Sequence, residues 1–302
     1  MEYRYHIPDF MRHFRLNLIL AEYMEDFPER FREGTKIASV YGAFPNMVFN
    51  GGRFISGGID VRVIKEVITR FNSKGIPLRF TLTNPLIEEK HLKEPFCNAV
   101  LKAADNGLNE AIVMSPLLEE HIRKNFPGMK ITSSTCKEIR DIPALTEELE
   151  KDYSLVVLDY NFNNDFEAAE KLPHKEKIEL LINPCCTPQC KRRGEHYRSV
   201  GRSQIKVLES LEKTGKPCDP EPFECPCMLK DLYRTTDSPL HIDPEGVERY
   251  ARMGIVNFKI EGRSVPDINV LENYVYYMVK PEYKDRARLD MLIRLTRKVK
   301  YF

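Results

Sequence analysis

Apolar positions along the chain switch repeatedly between two periods. Seven short runs, at 36–42, 77–83, 110–115, 129–135, 154–159, 178–183 and 255–260, are mostly apolar on both faces, the pattern of strands buried in a parallel sheet. Between them apolar residues recur at helical spacing. Val61, Ile64, Val67, Ile68 and Phe71 form one such stripe and Cys97, Val100, Leu101 and Ala104 another; further stripes run through 117–122, 142–149 and 166–172. Strand followed by helix, repeated along the chain, predicts α/β architecture with crossover helices. With a weaker eighth strand at 239–242, the count favours a closed (β/α)8 TIM-like barrel over an open doubly wound sheet. Asp243 followed by Pro244 is an N-cap and first-turn pair, so a helix is expected over 244–253, ahead of the last strand.

Two flanking segments break this alternation. Residues 1–33 carry Phe10, Phe14, Leu18, Tyr23 and Phe27 at helical spacing, which predicts an N-terminal helical extension. The barrel is assigned to 34–280, and 281–302 reads as a C-terminal amphipathic helix with Leu289, Leu292, Ile293 and Leu295 opposite Arg286, Arg294, Arg297 and Lys298. Its alternating charge reads as a solvated face.

A parallel barrel places its chemistry at the C-terminal ends of its strands. The residues there are polar: Tyr41, Asn46 and Arg53 after the first run, Asn84 after the second, and Ser133, Ser134, Thr135 and Cys136 at the fourth. Asp159, Tyr160 and Asn161 follow the fifth, Asn183 the sixth, and Glu261 and Arg263 the last. Each has a plain structural reading as a turn, cap or rim ion pair, and it is their convergence on one rim that points to a site.

Charge narrows the partner. Lys and Arg number 46 against 45 Asp and Glu, so no long-range field steers the chain toward nucleic acid or an anionic membrane, and a small molecule is the expected ligand. No apolar stretch is long enough to span a bilayer and the first residues lack the order of a signal peptide, which leads to the expectation of a cytoplasmic protein.

The cysteines sharpen this picture. Of eight, Cys97 and Cys136 stand alone, while Cys185, Cys186, Cys190, Cys218, Cys225 and Cys227 crowd into the cysteine-rich segment 185–227. In a reducing compartment such a cluster is not a disulfide framework. Ordinary buried thiols would be dispersed in apolar segments, as Cys97 is, whereas these sit among Pro, Gln, Lys, Arg and Asp. Thiolates of this number suit an iron–sulfur cluster, and the loose spacing fits a cluster better than the paired short hooks of structural zinc, which stays the alternative.

The stretches GIVNFKIEGR (254–263), SVYGAFPNMVFNGGR, LRFTLTNPL and ELLINPCCTPQCKRRGEHY together resemble the collagenase-like peptidase family, numbered U-thirty-two among peptidases of unassigned mechanism. The resemblance touches most of 36–280 and implies a barrel that, in several relatives, holds a four-iron, four-sulfur (4Fe-4S) cluster on four cysteines. It implies an oxygen-independent hydroxylase or related redox enzyme, or a subunit of one, suited to anaerobic metabolism. Matching the motif, Cys186 and Cys190 would be ligands, Cys225 or Cys227 a third, and Cys185 the fourth ahead of Cys136 or Cys218. Glu261, Arg263, Arg53 and His196 would orient substrate or move protons, and Asn84, Asn183 and Tyr41 would line the binding site. His196 has an equally good reading as a loop partner. The chain departs from the family after the fifth strand, where LDYNFNND lacks the usual arginine, and the cysteine-rich insertion of RNA-modifying relatives is reduced. An RNA substrate is therefore not expected, and a paired subunit or homo-oligomer, as in short members, is. Two alternatives stay open: a hydrolase of the peptidase type, although no nucleophile motif is visible, and a zinc- or cluster-stabilised scaffold without activity.

Overall fold

The computed structural model describes residues 1–225, 235–263 and 265–297. Eight parallel strands close into a barrel in chain order: β1 (Tyr3–Pro8), β2 (Thr35–Gly42), β3 (Leu78–Leu82), β4 (Glu110–Val113), β5 (Lys130–Ser133), β6 (Leu155–Val157), β7 (Ile178–Leu181) and β8 (Asn257–Lys259). The helices α1 (Phe14–Asp26), α2 (Val61–Asn72), α3 (Pro95–Ala104), α4 (Pro116–Asn125), α5 (Ile142–Glu150) and α6 (Phe166–Lys171) each follow the strand of the same number. Between β7 and β8 lie the long α7 (Arg193–Thr214) and α8 (Pro244–Arg252); α9 (Asp267–Met278) and α10 (Lys284–Thr296) follow β8. The architecture is the expected (β/α)8 barrel. No helix among the described residues is long and apolar enough to cross a membrane.

The seven expected strands are β2 to β8, but the eighth lies elsewhere. It is β1, inside the segment read as wholly helical, and it closes the barrel by pairing with both β2 and β8, with Tyr5 opposite Ile37 and Phe258. The sequence YRYHIP alternates: Tyr5 and Ile7 pack in the apolar core while His6 faces Ser39 and Asn257. Residues 239–242 form a turn instead of a strand, linked to the sheet through the Ile242 N–H, which donates to the Ile182 carbonyl at 2.9 Å.

Helix starts follow local chemistry. Ser115, Asp141, Asp165 and Asp243 accept from the backbone N–H groups of Leu118, Ala144, Ala168 and Gly246, and Pro occupies the first turn of α3, α4, α5 and α8. The helix α10 differs from its expected orientation. Ala287 and Met291 form its buried face, while Leu289 and Ile293 are exposed; Arg288 grips Glu272 of α9 at 2.6 and 2.9 Å, and Arg294 reaches Asp26 of α1. Leu292 and Leu295 of the expected stripe pack against the core beside Ala287 and Met291, so part of the stripe packs inward and part does not.

Alternation along the strands divides the barrel into two kinds of interior. Leu78, Phe80 and Leu82 join the apolar core, with Val67, Phe71 and Leu101 of the helices. The intervening residues are polar. Arg79 of β3 meets Glu179 of β7 at 2.5 Å, Glu110 of β4 at 3.1 Å and Thr132 of β5 at 3.1 Å, with His6 3.6 Å from Glu179. Strands read as apolar on both faces thus carry a buried ionic layer inside the barrel.

Candidate site at the mouth of the barrel

Two residues further along each strand, the same alternation delivers a second layer. Tyr41, Thr81, Ile112, Ser134, Leu181 and Lys259 stand two positions beyond Ser39, Arg79, Glu110, Thr132, Glu179 and Asn257, and all six line a cavity of about 110 Å³ at the C-terminal mouth. Thr83, Cys136, Glu261 and Arg263 continue the wall, and α7 and the segment before residue 226 cover it with His196, Tyr197 and Phe223.

The cysteines converge here. Cys185, Cys186 and Cys190, on the loop after β7, line the cavity together with Cys136 from β5 and Cys225 from beyond α7. Cys225 is brought back by contacts along α7. Arg192 donates to the Glu224 carbonyl at 2.7 Å, His196 stacks on Phe223 at 4.8 Å, and Glu221 is held by Arg202 at 2.9 Å. Cys218 does not line the cavity, Cys97 is buried in α3, and Cys227 lies outside the described residues.

Two of these thiols, Cys185 and Cys186, are held in a protonated state. Burial, together with the Glu261 carboxylate, pushes Cys185 well above the usual thiol range. Cys186 is pushed up to about 11, chiefly by burial, against a lowering hydrogen bond with Tyr160; its contact with Cys190 raises it further. A metal would reverse this, because thiolate ligation releases the proton. Among the described residues no three His, Cys, Asp or Glu side chains are grouped closely enough to hold one ion. The lining is nonetheless soft and sulfur-rich.

Arg193 organises this wall. Its guanidinium donates to Asp159 at 2.6 Å, to the Thr135 carbonyl and hydroxyl at 2.9 Å each, and to the Tyr197 hydroxyl at 2.8 Å, and it lies 3.9 Å from the Tyr160 ring centre. It therefore ties the ends of β5 and β6 to α7. Asn161 adds a second tie, accepting from the Gln189 N–H at 2.9 Å and so anchoring the cysteine loop.

The opposite wall carries the residues expected from the last strand. Glu261 pairs with Arg53 and accepts from the Cys185 N–H at 2.8 Å. Arg53 sits on a loop that needs glycine: a Cβ on Gly51 would lie 2.3 Å from the Thr83 carbonyl oxygen, and Gly52 has φ +75°. Arg263 donates to the Thr81 hydroxyl at 2.9 Å and the Gly51 carbonyl at 3.2 Å. His196 is held below its usual range, first by burial and then by the Arg53 charge, so it is neutral at pH 7.

Asn183 and Asn84 do not line the cavity. Asn183 donates to the Glu261 carbonyl at 3.0 Å and accepts from its N–H at 2.6 Å, so it positions Glu261 from behind. Asn84 was expected to bind ligand; instead its amide donates to the Val48 carbonyl at 2.7 Å and the Gly201 carbonyl at 3.3 Å and accepts from the Leu86 N–H. It braces the loop before Arg53 against α7, the ordinary use of Asn before Pro in a turn. Tyr41 lines the cavity, and its hydroxyl donates to the Ile260 carbonyl at 2.7 Å.

Lys259, Arg193, Arg192, Tyr197 and Phe223 were not singled out in the sequence. Lys259 was within reach, standing two residues before Glu261 on the same strand face. Arg193 carried no such signal, since it sits in a basic run beside Lys191 and Arg192.

An eight-stranded α/β barrel with a thiol-lined mouth defines the class of this protein. Among solved structures, it is similar to the U32 peptidase Mk0906, with a TM-score of 0.51 and 11% identity over 88% of this chain and 95% of that one. The likeness is one of fold. No family model and no curated protein matches the sequence.

Proposed function

We propose that the chain is an iron–sulfur protein that carries out an oxygen-independent hydroxylation, or a related redox modification, of a small molecule at the barrel mouth. The observation that carries this reading is the meeting of Cys185, Cys186 and Cys190 with Cys225 at one cavity although α7 separates them in sequence. Cys186, Cys190, Cys185 and one of Cys225 and Cys227 would hold the cluster, which supplies single electrons at the cavity wall. Glu261, fixed by Arg53 and Asn183, would orient substrate, and neutral His196 would accept a proton. The hydrolytic reading is weaker, because burial disfavours the thiolate that a cysteine nucleophile requires.

The test is purification without oxygen, followed by the visible spectrum and iron, sulfide and zinc analysis. A brown protein with matching iron and sulfide supports the reading. A colourless protein with stoichiometric zinc overturns it in favour of a zinc-stabilised scaffold.

A further inference from the structure

We propose that Lys259 is a nucleophilic amine that captures an aldehyde or ketone bearing an acid group, as an imine, on the floor of the cavity. This inference is independent of the cluster.

Lys259 lines the cavity, yet only 8% of its surface is exposed. Among the described residues no acceptor stands in hydrogen-bond geometry to its Nζ. The nearest carboxylate oxygen, Glu179 Oε1, forms an ion pair with it at 3.5 Å but outside hydrogen-bond geometry, while the other oxygen of Glu179 is engaged by Arg79. The remaining neighbour is the Tyr41 ring, whose centre lies 4.2 Å from Nζ. A buried ammonium, which has three donors to satisfy, is poorly served there; a neutral amine is well served. Burial is the largest influence and brings the amine down to about 8; Glu179 and, less strongly, Cys136 favour the charged form, and Arg79 and Arg263 oppose it. A substantial fraction of the free base is therefore present near neutrality.

The acid group follows from the cavity's charge. Arg53, Arg192, Arg193, Lys259 and Arg263 line it, against Glu261 as the carboxylate among its described lining residues. Arg53 is paired with Glu261 and Arg193 with Asp159, whereas among the described residues Arg263 hydrogen-bonds neutral oxygens, those of Thr81 and Gly51. Its guanidinium lies 5.9 Å from the centre of the same Tyr41 ring that Lys259 overlies. Amine and guanidinium thus both stand beside the Tyr41 ring.

The step balances without a co-reactant. The Nζ lone pair forms a bond to the carbonyl carbon, and the C=O π pair moves to oxygen and is protonated by the proton that nitrogen gives up. The carbinolamine then expels that oxygen as water as nitrogen loses its second proton, leaving C=N.

Reductive trapping tests this on the full-length protein purified without oxygen. The protein is treated with glyoxylate or, in parallel, with acetaldehyde of similar size and no charge. Cyanoborohydride is then added and the adducts are mapped by mass spectrometry. Glyoxylate is expected to mark Lys259 ahead of every exposed lysine, at about tenfold lower concentration than acetaldehyde. Labelling at Lys259 should reach half-maximum near pH 8, whereas exposed lysines require pH near 10. Lys259→Arg, which keeps a cation beside Glu179, should lose only that adduct. Modification of exposed lysines with Lys259 untouched overturns the proposal, and equal labelling by both aldehydes overturns the role of Arg263. Both outcomes are read on the wild-type protein, so they stand even if the variant fails to fold.

Discussion

The barrel carries two charged layers on one axis, separated by two residues along each strand, and they are built to opposite rules. In the lower one Arg79 and Glu179 are fully buried and paired, with Glu110, Thr132 and His6 around them, although Arg79 Nε and Glu179 Oε1 make no hydrogen bond among the described residues. In the upper one Lys259 has a 3.5 Å ion pair to Glu179 of the layer below, Arg263 has no ion pair among the described residues, and thiols, rings and the Glu261–Arg53 pair share a cavity. A layer whose charges satisfy one another serves the fold. A layer whose charges are left over is available to a ligand, at some cost in stability.

The largest effect should come from breaking the lower layer. Glu179→Gln leaves Arg79 buried without its counter-charge and is expected to cost roughly 3–5 kcal/mol in urea unfolding. The same change in the upper layer, Glu261→Gln, should cost less, roughly 1–3 kcal/mol, because the Glu261–Arg53 pair is only partly buried, with 17% of each side chain exposed. Equal losses would erase the distinction between the layers. Next in size is Arg193→Met, which strands buried Asp159 and frees the ends of β5 and β6; a loss of roughly 2–4 kcal/mol is expected, with the cysteine loop more open to proteolysis.

Cysteine substitutions should separate the layers by readout. Cys186→Ser and Cys190→Ser are expected to abolish the colour of the anaerobic protein while changing stability of the metal-free form by about 1 kcal/mol or less. Cys97→Ser should leave the colour intact. Bleaching by Cys97→Ser would show that the ligands lie elsewhere.

The lower layer also makes stability depend on pH. Burial pushes His6 down to about 3, so between that value and its unfolded value near 6.5 the unfolded chain binds more protons and stability falls as pH drops through this window. Glu179 acts in the same direction lower down. Burial alone would raise it, but Arg79, His6 and Lys259 bring it to about 2; its contribution is complete above the ordinary carboxylate range and is lost as pH falls toward 2. His6→Asn should flatten the upper part of the curve, measured as Tm against pH. An unchanged curve would remove His6 from the network.

Much of the mouth was legible because strand ends can be found from periodicity. Glu261, Arg263, Tyr41, Arg53 and the cysteines after β7 were named from their positions at those ends, and each lines the cavity. Asn84 was named by the same rule, yet its amide is spent on two backbone carbonyls, a choice that depends on where α7 packs. The strand β1 escaped because the apolar spacing that begins at Phe10 dominates its neighbourhood, while the polar members of YRYHIP face an interior that is itself polar.

By itself the sequence determined the barrel, its run of caps and crossovers, and the crowding of thiols after β7, since these rest on local period and composition. Tertiary structure alone decided which charges meet. Arg79 and Glu179 are a hundred residues apart, and only closure of the sheet brings them within 2.5 Å. Closure likewise sets Lys259 3.5 Å from a carboxylate that Arg79 also holds and leaves Arg263 without an ion pair among the described residues, because a side chain's partners are set by neighbouring strands and not by neighbours in the chain.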